Sequence, residues 1–509
     1  MCTIFDKVEL LKYIIYLFYM RLQQLGGFYE KTISVLLSVI IALSCMGVGV
    51  VANASTPWID NKETGEFCWN EKSGDWEFLQ ISANSACLTK YYGSAENLDV
   101  PSKINGLTVS EIGDNAFNSN KAIKKVTLPN GVVKIGLGAF ENCENLASVS
   151  LGTKVRSIGL NAFYNTKIYN SKMKSKNVVY IGKYLVACDS DKYGKKLAVK
   201  EGTIGIADGA VMPQVVSSNG KIKTVTLPNS VRFVGKDAFS NSKNIAKITL
   251  GNRIERIGKD AFKGTKFYKN NAKTASNAKY IGKYLCEGVY GKKSVKVKNG
   301  TTVIADGAFD FGDRKSKLEK IALPSSLKTI GDTAFKNSKL KTVTVPKNVK
   351  YIGNQAFLGN KKLEKFKVNN DSKYFSATSG VLFNKKKSEI IVYPSASSRT
   401  AYSLPNSVRY IAPYAFAGAK NIKSVKLNKG LVFIGELAFL DCKNLDSATV
   451  PDSVRRICSM AFGAVSANEG SFVSKQFTLY GSASSVAKRY CEAQEVDNQS
   501  YRTPSFVLM

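Results

Sequence analysis

The residues able to do chemistry in this sequence are carboxylates, cysteines and lysines, because histidine is absent from all 509 positions. Its absence removes Ser-His-Asp and Cys-His nucleophile systems, His-containing zinc sites and His-ligated haem. Acid–base work by carboxylates alone stays open, as in glycosidases. Glu141 and Glu144 are such a pair, but they fall in a short polar turn where solvated side chains are expected. Asp189-Ser190-Asp191-Lys192-Tyr193-Gly194 has the start of a calcium loop, yet its twelfth position is Lys200, not Glu, so a hairpin turn and no metal site is expected. No phosphate loop, nucleophile elbow, CxxC or dinucleotide-binding glycine cluster is present. The chain is therefore expected to be no enzyme and to carry no cofactor.

Charge is the other chemical feature. Lys+Arg outnumber Asp+Glu by 73 to 39, a net +34. This excess suits either a solvated lysine surface or affinity for polyanions such as wall polymers and acidic glycans. The lysines read as spread along the chain, and no recognition helix or aromatic nucleic-acid motif stands out, so nucleic acid is not an expected partner.

The elements that carry these residues begin with a targeting segment. Residues 31–55, KTISVLLSVIIALSCMGVGVVANAS, place a basic residue before an apolar run that ends in Ala52-Asn53-Ala54. That is a secretory signal with cleavage after Ala54, giving a signal region of 1–54 whose start is read as Met1 or Met20. Uncleaved, segment 33–52 is the one expected membrane anchor. Eight cysteines follow it. Cys68 and Cys87 flank one presumed β segment and form the expected disulfide.

The rest of the chain aligns on the dipeptide Ala-Phe. Eleven copies occur, with Ala116, Ala139 and Ala162 spaced by 23, and Ala415, Ala438 and Ala461 again by 23. Around each, a β-branched stretch L/I-x-x-V/I-x-L/V precedes V-x-x-I/V-G-x-x-A-F and a polar turn. The first stretch alternates, as a half-buried strand does. Pro129, Pro228, Pro324, Pro346 and Pro451 close these strands, since proline cannot continue a ladder. The glycine of I-G is expected to take unusual backbone angles at a corner. One such unit cannot bury its own Leu, Ile and Phe; stacked copies can, so the fold class is a β-rich repeat solenoid. Intervals of 47 residues, from 162 to 209 and from 261 to 308, mark a duplicated unit of about 99 residues. Each copy holds the hexapeptide YIGKYL (180–185 and 280–285) in what reads as a strand–turn–strand insert. A third insert, with 379–396, reads as another hairpin.

The unit resembles leucine-rich repeats of the BspA-like, Treponema pallidum type, approximately L-x-x-I-x-I-P-x-x-V-x-x-I-G-x-x-A-F-x-x-C, over about residues 100–465. The resemblance implies a leucine-rich-repeat array of ~23-residue units with hairpin insertions. Cys143 and Cys442 hold its last position, where other units have Asn120, Thr166, Ser242, Thr265, Ser338 and Asn360; they are expected to be buried spacers. Cys458 replaces the repeat glycine and reads as drift. The expected organisation is signal 1–54, a β-rich N-terminal cap 55–100, the solenoid 101–465, and a strand–helix cap 466–509.

Proteins of this type act as adhesins, so the resemblance implies a secreted or cell-surface bacterial protein that binds host matrix proteins, cells or glycans without catalysis. Unfixed positions flanking the central apolar residue of each first strand point outward. They hold Lys125, Lys247, Lys320, Lys365, Lys367 and Lys426, the expected binding face. A monomer is expected, with a protein or glycan ligand and an anionic cell-wall polymer among the candidates. Two other classes remain open: a carboxylate-dependent glycan-active enzyme or its accessory module, and a structural envelope protein held by charge.

Overall fold

The computed structural model describes residues 71–494 and 504–509, except for 83, 214–219, 272, 276, 313, 315 and 467–471. The signal segment and Cys68 lie outside the described residues. Each coil of the solenoid supplies two short strands that pair in parallel with the same strands of the next coil. The first is typified by Lys125–Thr127, which lies between Asn97–Asp99 and Ser148–Ser150. Val126 is fully buried there while Lys125 faces solvent, as the two-residue period of a strand requires. The second strand is shorter, as in Lys134–Ile135, between Leu107–Ile112 and Ser157–Ile158. These two series are called outer and inner strands below.

Proline stops the outer strands as its missing N–H dictates. The strands ending at Thr127, Thr226, Ala322, Val345 and Thr449 are followed within two residues by the five repeat prolines. Each proline carbonyl then accepts the N–H three residues on, for example Val132 to Pro129 at 3.1 Å and Val454 to Pro451 at 3.0 Å, closing a turn toward the inner strand.

The glycine after the inner isoleucine does something other than expected. Gly113, Gly136, Gly159, Gly235, Gly258, Gly331, Gly353 and Gly435 all lack positive φ. Their need is space: a Cβ on Gly159 would lie 2.5 Å from the Leu137 nitrogen of the preceding coil, closer than atoms pack. Ala207, Ala305 and Ala412 take the same place only in the coils that follow an insert. The left-handed residue comes two positions later, directly before Ala-Phe. Asn115, Asn161, Asp237, Asp260, Thr333, Gln355, Tyr414, Leu437 and Met460 there all have φ between 50° and 60°. Gly138, Gly209 and Gly307 fill the remaining coils.

This corner drives the phenylalanine into the column. Phe117, Phe140 and Phe163 stack with centroids 4.5 and 5.3 Å apart, and Phe309, Phe335 and Phe357 at 5.3 and 5.5 Å. The last stack, Phe416, Phe439 and Phe462, is begun by Tyr393 at 4.9 Å. Beneath each ring sits the small polar position. Cys143 Sγ donates to the Phe117 carbonyl at 3.0 Å, Cys442 Sγ to Phe416 at 3.2 Å and Asn360 Nδ2 to Phe335 at 2.7 Å.

The inserts carry more structure than hairpins. Helix α1 (Lys167–Lys176) precedes the first, with Thr166 Oγ1 accepting the Tyr169 N–H and Asn177 left-handed at its end. Helix α2 (Lys266–Asn271) precedes the second. The hairpins Val178–Ile181/Tyr184–Cys188 and Ala278–Ile281/Tyr284–Gly288 then turn at Gly182 and Gly282. Both YIGKYL copies are scaffold. Tyr184 and Tyr284 hydroxyls donate to the carbonyls of Val155 and Gly251, at 2.6 and 3.0 Å. The third insert forms the hairpin Val381–Asn384/Glu389–Val392.

At the N-terminal side Trp76–Ser82 and Ser85–Tyr91 pair antiparallel before joining the inner strands. At the other side Thr478–Gly481 extends the outer strands and helix α3 (Val486–Gln494) buries Val486, Ala487, Tyr490 and Cys491 against the last core. The first described strands meet the last coils. Arg456 pairs with Glu71, both side chains 10% exposed, and Leu79 packs against Phe433 and Cys458. Among the described residues no helix is long and apolar enough to cross a membrane.

Two corrections concern cysteine. Cys87 is a buried free thiol, so the expected Cys68–Cys87 bridge is not formed. Its place on the central strand Ser85–Tyr91 buries it against Gly113 of the next coil. Cys458, read as drift, is instead disulfide-bonded. The thiols of Cys143 and Cys442 are free and buried, as a spacer role requires.

Replacing Phe335, stacked on both sides and fully buried, with Ala should cost about 3–5 kcal/mol in a urea melt. Thr333→Asn should instead raise the midpoint, since a β-branched residue is poorly suited to φ 50°.

Candidate functional site

The first residues of eight inner strands face a central cavity of about 1080 Å³. Its wall takes Lys134, Ser157, Phe233, Arg256, Thr329, Tyr351, Glu389 and Phe433 in turn, one from each strand. The same cavity is lined by Gln80 and Ser82 near the beginning of the described chain and by Cys458 and Ser459 near its end. Residues far apart in sequence thus share one enclosure.

Its charges are mostly spent on each other. Lys134 pairs with Glu111 at 3.4 Å, and Glu255 receives Arg232 at 2.6 Å and Lys350 at 3.6 Å. Arg256 bridges Asp306 at 2.8 Å and Asp332, whose other oxygen accepts the Tyr351 hydroxyl at 2.9 Å. Beside these pairs stand Glu389 and Glu436, which have no ion-pair partner among the described residues; burial raises both carboxyl pKa values. The Tyr414 hydroxyl is pushed up to about 12 by burial and by Glu436.

A second carboxylate column underlies the wall. At the position after the inner glycine or alanine, one coil's Asp accepts the next coil's backbone N–H. Asp114 takes Leu137 at 2.9 Å, Asp208 takes Lys236 at 2.7 Å, Asp306 takes Asp332 at 3.0 Å and Asp332 takes Asn354 at 3.0 Å. These are structural: each satisfies an N–H that the corner exposes. No group of three or more Cys, Asp or Glu able to hold a metal occurs among the described residues. Asp189 accepts the Asp191 and Lys192 N–H groups, the geometry of a turn. Glu144 is exposed and pairs with Lys121 at 3.7 Å.

None of the six lysines expected to bind lines the cavity. Lys125, Lys247, Lys320, Lys365, Lys367 and Lys426 all lie exposed on outer strands. They fall on five separate sheets, so the structure does not gather them into one pocket. Each has a hydroxyl or amide residue directly across the ladder: Asn97, Thr224, Ser294, Thr342, Thr344 and Ser403, in the same order. Among the described residues none of the six is in an ion pair.

Sequence reasoning missed the cavity. Arg256 and Asp332 are 76 residues apart, and only the completed curl of the inner strands brings them together. The signal that was available is the Asp of I-G-D in Ile112-Gly113-Asp114 and Ile330-Gly331-Asp332, with Asp208 and Asp306 in the alanine variants.

Asp208 gives this column a pH signature. Burial pushes its carboxyl up to about 6, against 3.8 for an unperturbed group. The folded chain therefore holds this proton more tightly than the unfolded one. That contribution to stability is complete below about pH 3.8 and is lost as pH rises through about 6. Asp208→Asn keeps the amide-accepting oxygen, so it should raise the melting temperature at pH 7 and reduce the gain on acidification to pH 4. Equal pH slopes for the two proteins would contradict this.

The profile of the BspA type Leucine rich repeat region matches in six copies, over residues 96–193, 215–314, 279–402 and 392–484. No curated protein matches the chain. Among solved structures, a leucine-rich cell surface protein from Faecalibacterium prausnitzii is 19% identical, with 86% of this chain and 94% of that one covered and a TM-score of 0.35. A Treponema pallidum leucine-rich repeat protein is 22% identical over 37% of this chain and 84% of its own, at 0.24. The pneumococcal vaccine antigen PcpA is 15% identical over 87% and 99%, at 0.25. With the profile covering more than half of the 509 residues, the protein belongs to the BspA type leucine-rich repeat family.

Proposed function

We propose that this protein is a secreted or cell-surface bacterial binding protein, without catalysis, that holds host matrix proteins, cells or glycans on its outer strands. The observation that carries this reading is the outer face: six exposed, unpaired lysines, each beside a hydroxyl or amide across the ladder. A rigid ribbon of ammonium and hydroxyl groups is suited to adhesion over a long contact, where many weak bonds add. Segment 1–54 serves export in this reading, and 55–100 and 466–509 close the two ends of the solenoid. Retention by charge on an anionic wall polymer is the structural variant of the same idea.

The catalytic reading has one observation in its favour: Glu389 and Glu436 share a cavity with Tyr374 and Tyr414. Register separates them. Glu389 pairs with Tyr410 and Tyr410 with Phe433, so two strand spacings, about 10 Å, lie between their backbones before an offset of three residues is added. Paired glycosidase carboxyl groups sit at roughly 5–9.5 Å, which favours the binding reading.

The test is a binding screen of the full chain against matrix proteins, wall polymers and glycans at 50 and 500 mM salt, beside a variant with all six lysines changed to Ser. Binding at low salt that weakens at least tenfold in the variant is expected. No binding to any of the panel would sink this reading.

A further inference from the structure

The two duplicated inserts share a scaffold but differ in how their lysines are partnered. Residues 167–200 hold nine lysines against two acids, and 266–298 nine against one. Together these stretches carry 15 of the 34 net charges. The positive excess is thus concentrated, contrary to the even spread read from the sequence.

In the first insert, α1 sets Lys172 and Lys176 one turn apart on one face, the spacing at which like charges repel. Lys172 Nζ donates to the Tyr180 carbonyl at 2.6 Å, which fixes it to the hairpin. The Tyr180 hydroxyl accepts the Lys200 N–H at 3.1 Å and so brings the Lys200 backbone to the same strand. Burial lowers the Lys172 pKa, and Lys176 and Lys200 both stand close enough to lower it further. No acid among the described residues forms an ion pair with any of the three. Among the described residues the one ion pair of this insert is Lys192 with Asp189, at 3.4 Å.

The second insert keeps the tyrosine clamp, with the Lys298 N–H on the Tyr280 hydroxyl at 3.1 Å. It differs where charge is concerned. Helix α2 holds Lys266 and Lys269 three residues apart and has no lysine pair at the four-residue spacing of Lys172 and Lys176. Lys279 is answered by Glu287 at 2.9 Å, which also accepts the Tyr268 hydroxyl at 3.0 Å. One copy therefore neutralises its lysine and the other holds three together unanswered. Lys172 has spent one of its three N–H donors on Tyr180, so two remain.

We infer that Lys172, Lys176 and Lys200 form an anion cradle that takes a sulfate or phosphate group of a linear anionic polymer. The site is distinct from the outer lysine face and shares with that reading only the idea of a macromolecular ligand. Full-length protein is titrated with heparin and, separately, with inorganic polyphosphate at 150 mM salt. The variants are Lys172→Gln/Lys176→Gln/Lys200→Gln and, as a control of equal charge, Lys266→Gln/Lys269→Gln/Lys292→Gln. The first triple should weaken binding at least tenfold and the control less than threefold, while three Lys→Arg changes in the cradle retain binding. The polymer that shows this loss identifies sulfate or phosphate as the group. Equal weakening by both triples, or loss with neither polymer, would overturn the inference. Should the first triple fail to fold, the exposed pair Lys176→Gln/Lys200→Gln carries the test, with at least a fivefold loss expected. The variant lacking the six outer lysines should stay within threefold of the parent here, so either site can fail without the other.

Discussion

Every part of this protein answers to one constraint: each coil must lie on the last at strand spacing, about 4.8 Å. The stacked phenylalanine rings, 4.5–5.5 Å apart in the continuous runs, are the side-chain expression of that rise. So are the glycines whose missing Cβ lets backbone rest on backbone, and the small polar residues that return a hydrogen bond to the carbonyl of the coil before. A larger side chain at any of these places would lift one coil off its neighbour and break several parallel hydrogen bonds at once. That is why residue types recur at such fixed positions while the residues between them vary freely.

This constraint also explains what could be read beforehand. The coil, its strand alternation and the proline stops repeat eleven times, so sequence alone states them. The duplicated tyrosine hairpins were legible for the same reason. Features that occur once were not. Helix α1 depends on Thr166 capping its first turn, and Thr166 had already been explained as a repeat spacer. Tyr393 completes a phenylalanine stack from within an irregular insert, where no period points to it. The glycine of I-G was assigned the right position and the wrong cause, because close approach and positive φ both select glycine. The left-handed residue itself is Asn, Asp, Thr, Gln, Tyr, Leu or Met, a set with no common chemistry. Arg456 sits at an ordinary repeat position, and its partner Glu71 is set by how far the array curls.

The two faces of the array have been given opposite electrostatic characters by the same repeat. Inside, arginine and aspartate reach across coils and cancel, so the cavity wall presents hydroxyls, aromatic rings and two desolvated glutamates. Outside, lysine stands beside serine and threonine with no acid in register. A strongly positive protein thereby keeps its cavity wall nearly neutral and carries its unpaired lysines on the outer face. The candidate site legible in the sequence was the outer one, since strand alternation alone exposes it; the inner one needed the curvature.

The contact of Arg456 with Glu71 changes how such an array can come apart. An open stack of coils has two ends, each holding only one neighbour, and unravels from them one coil at a time. Here the first described strands rest on the last coils, so a terminal coil has a neighbour on both sides. Loss of a coil then requires breaking the closure first, which ties distant segments into one cooperative transition and raises the barrier to partial opening. Its counterpart is slow assembly. A contact spanning 385 residues forms only after nearly the whole chain has been wound, so closure is a late step in folding. Such closure exchanges speed of folding for long residence in the folded state under proteolysis.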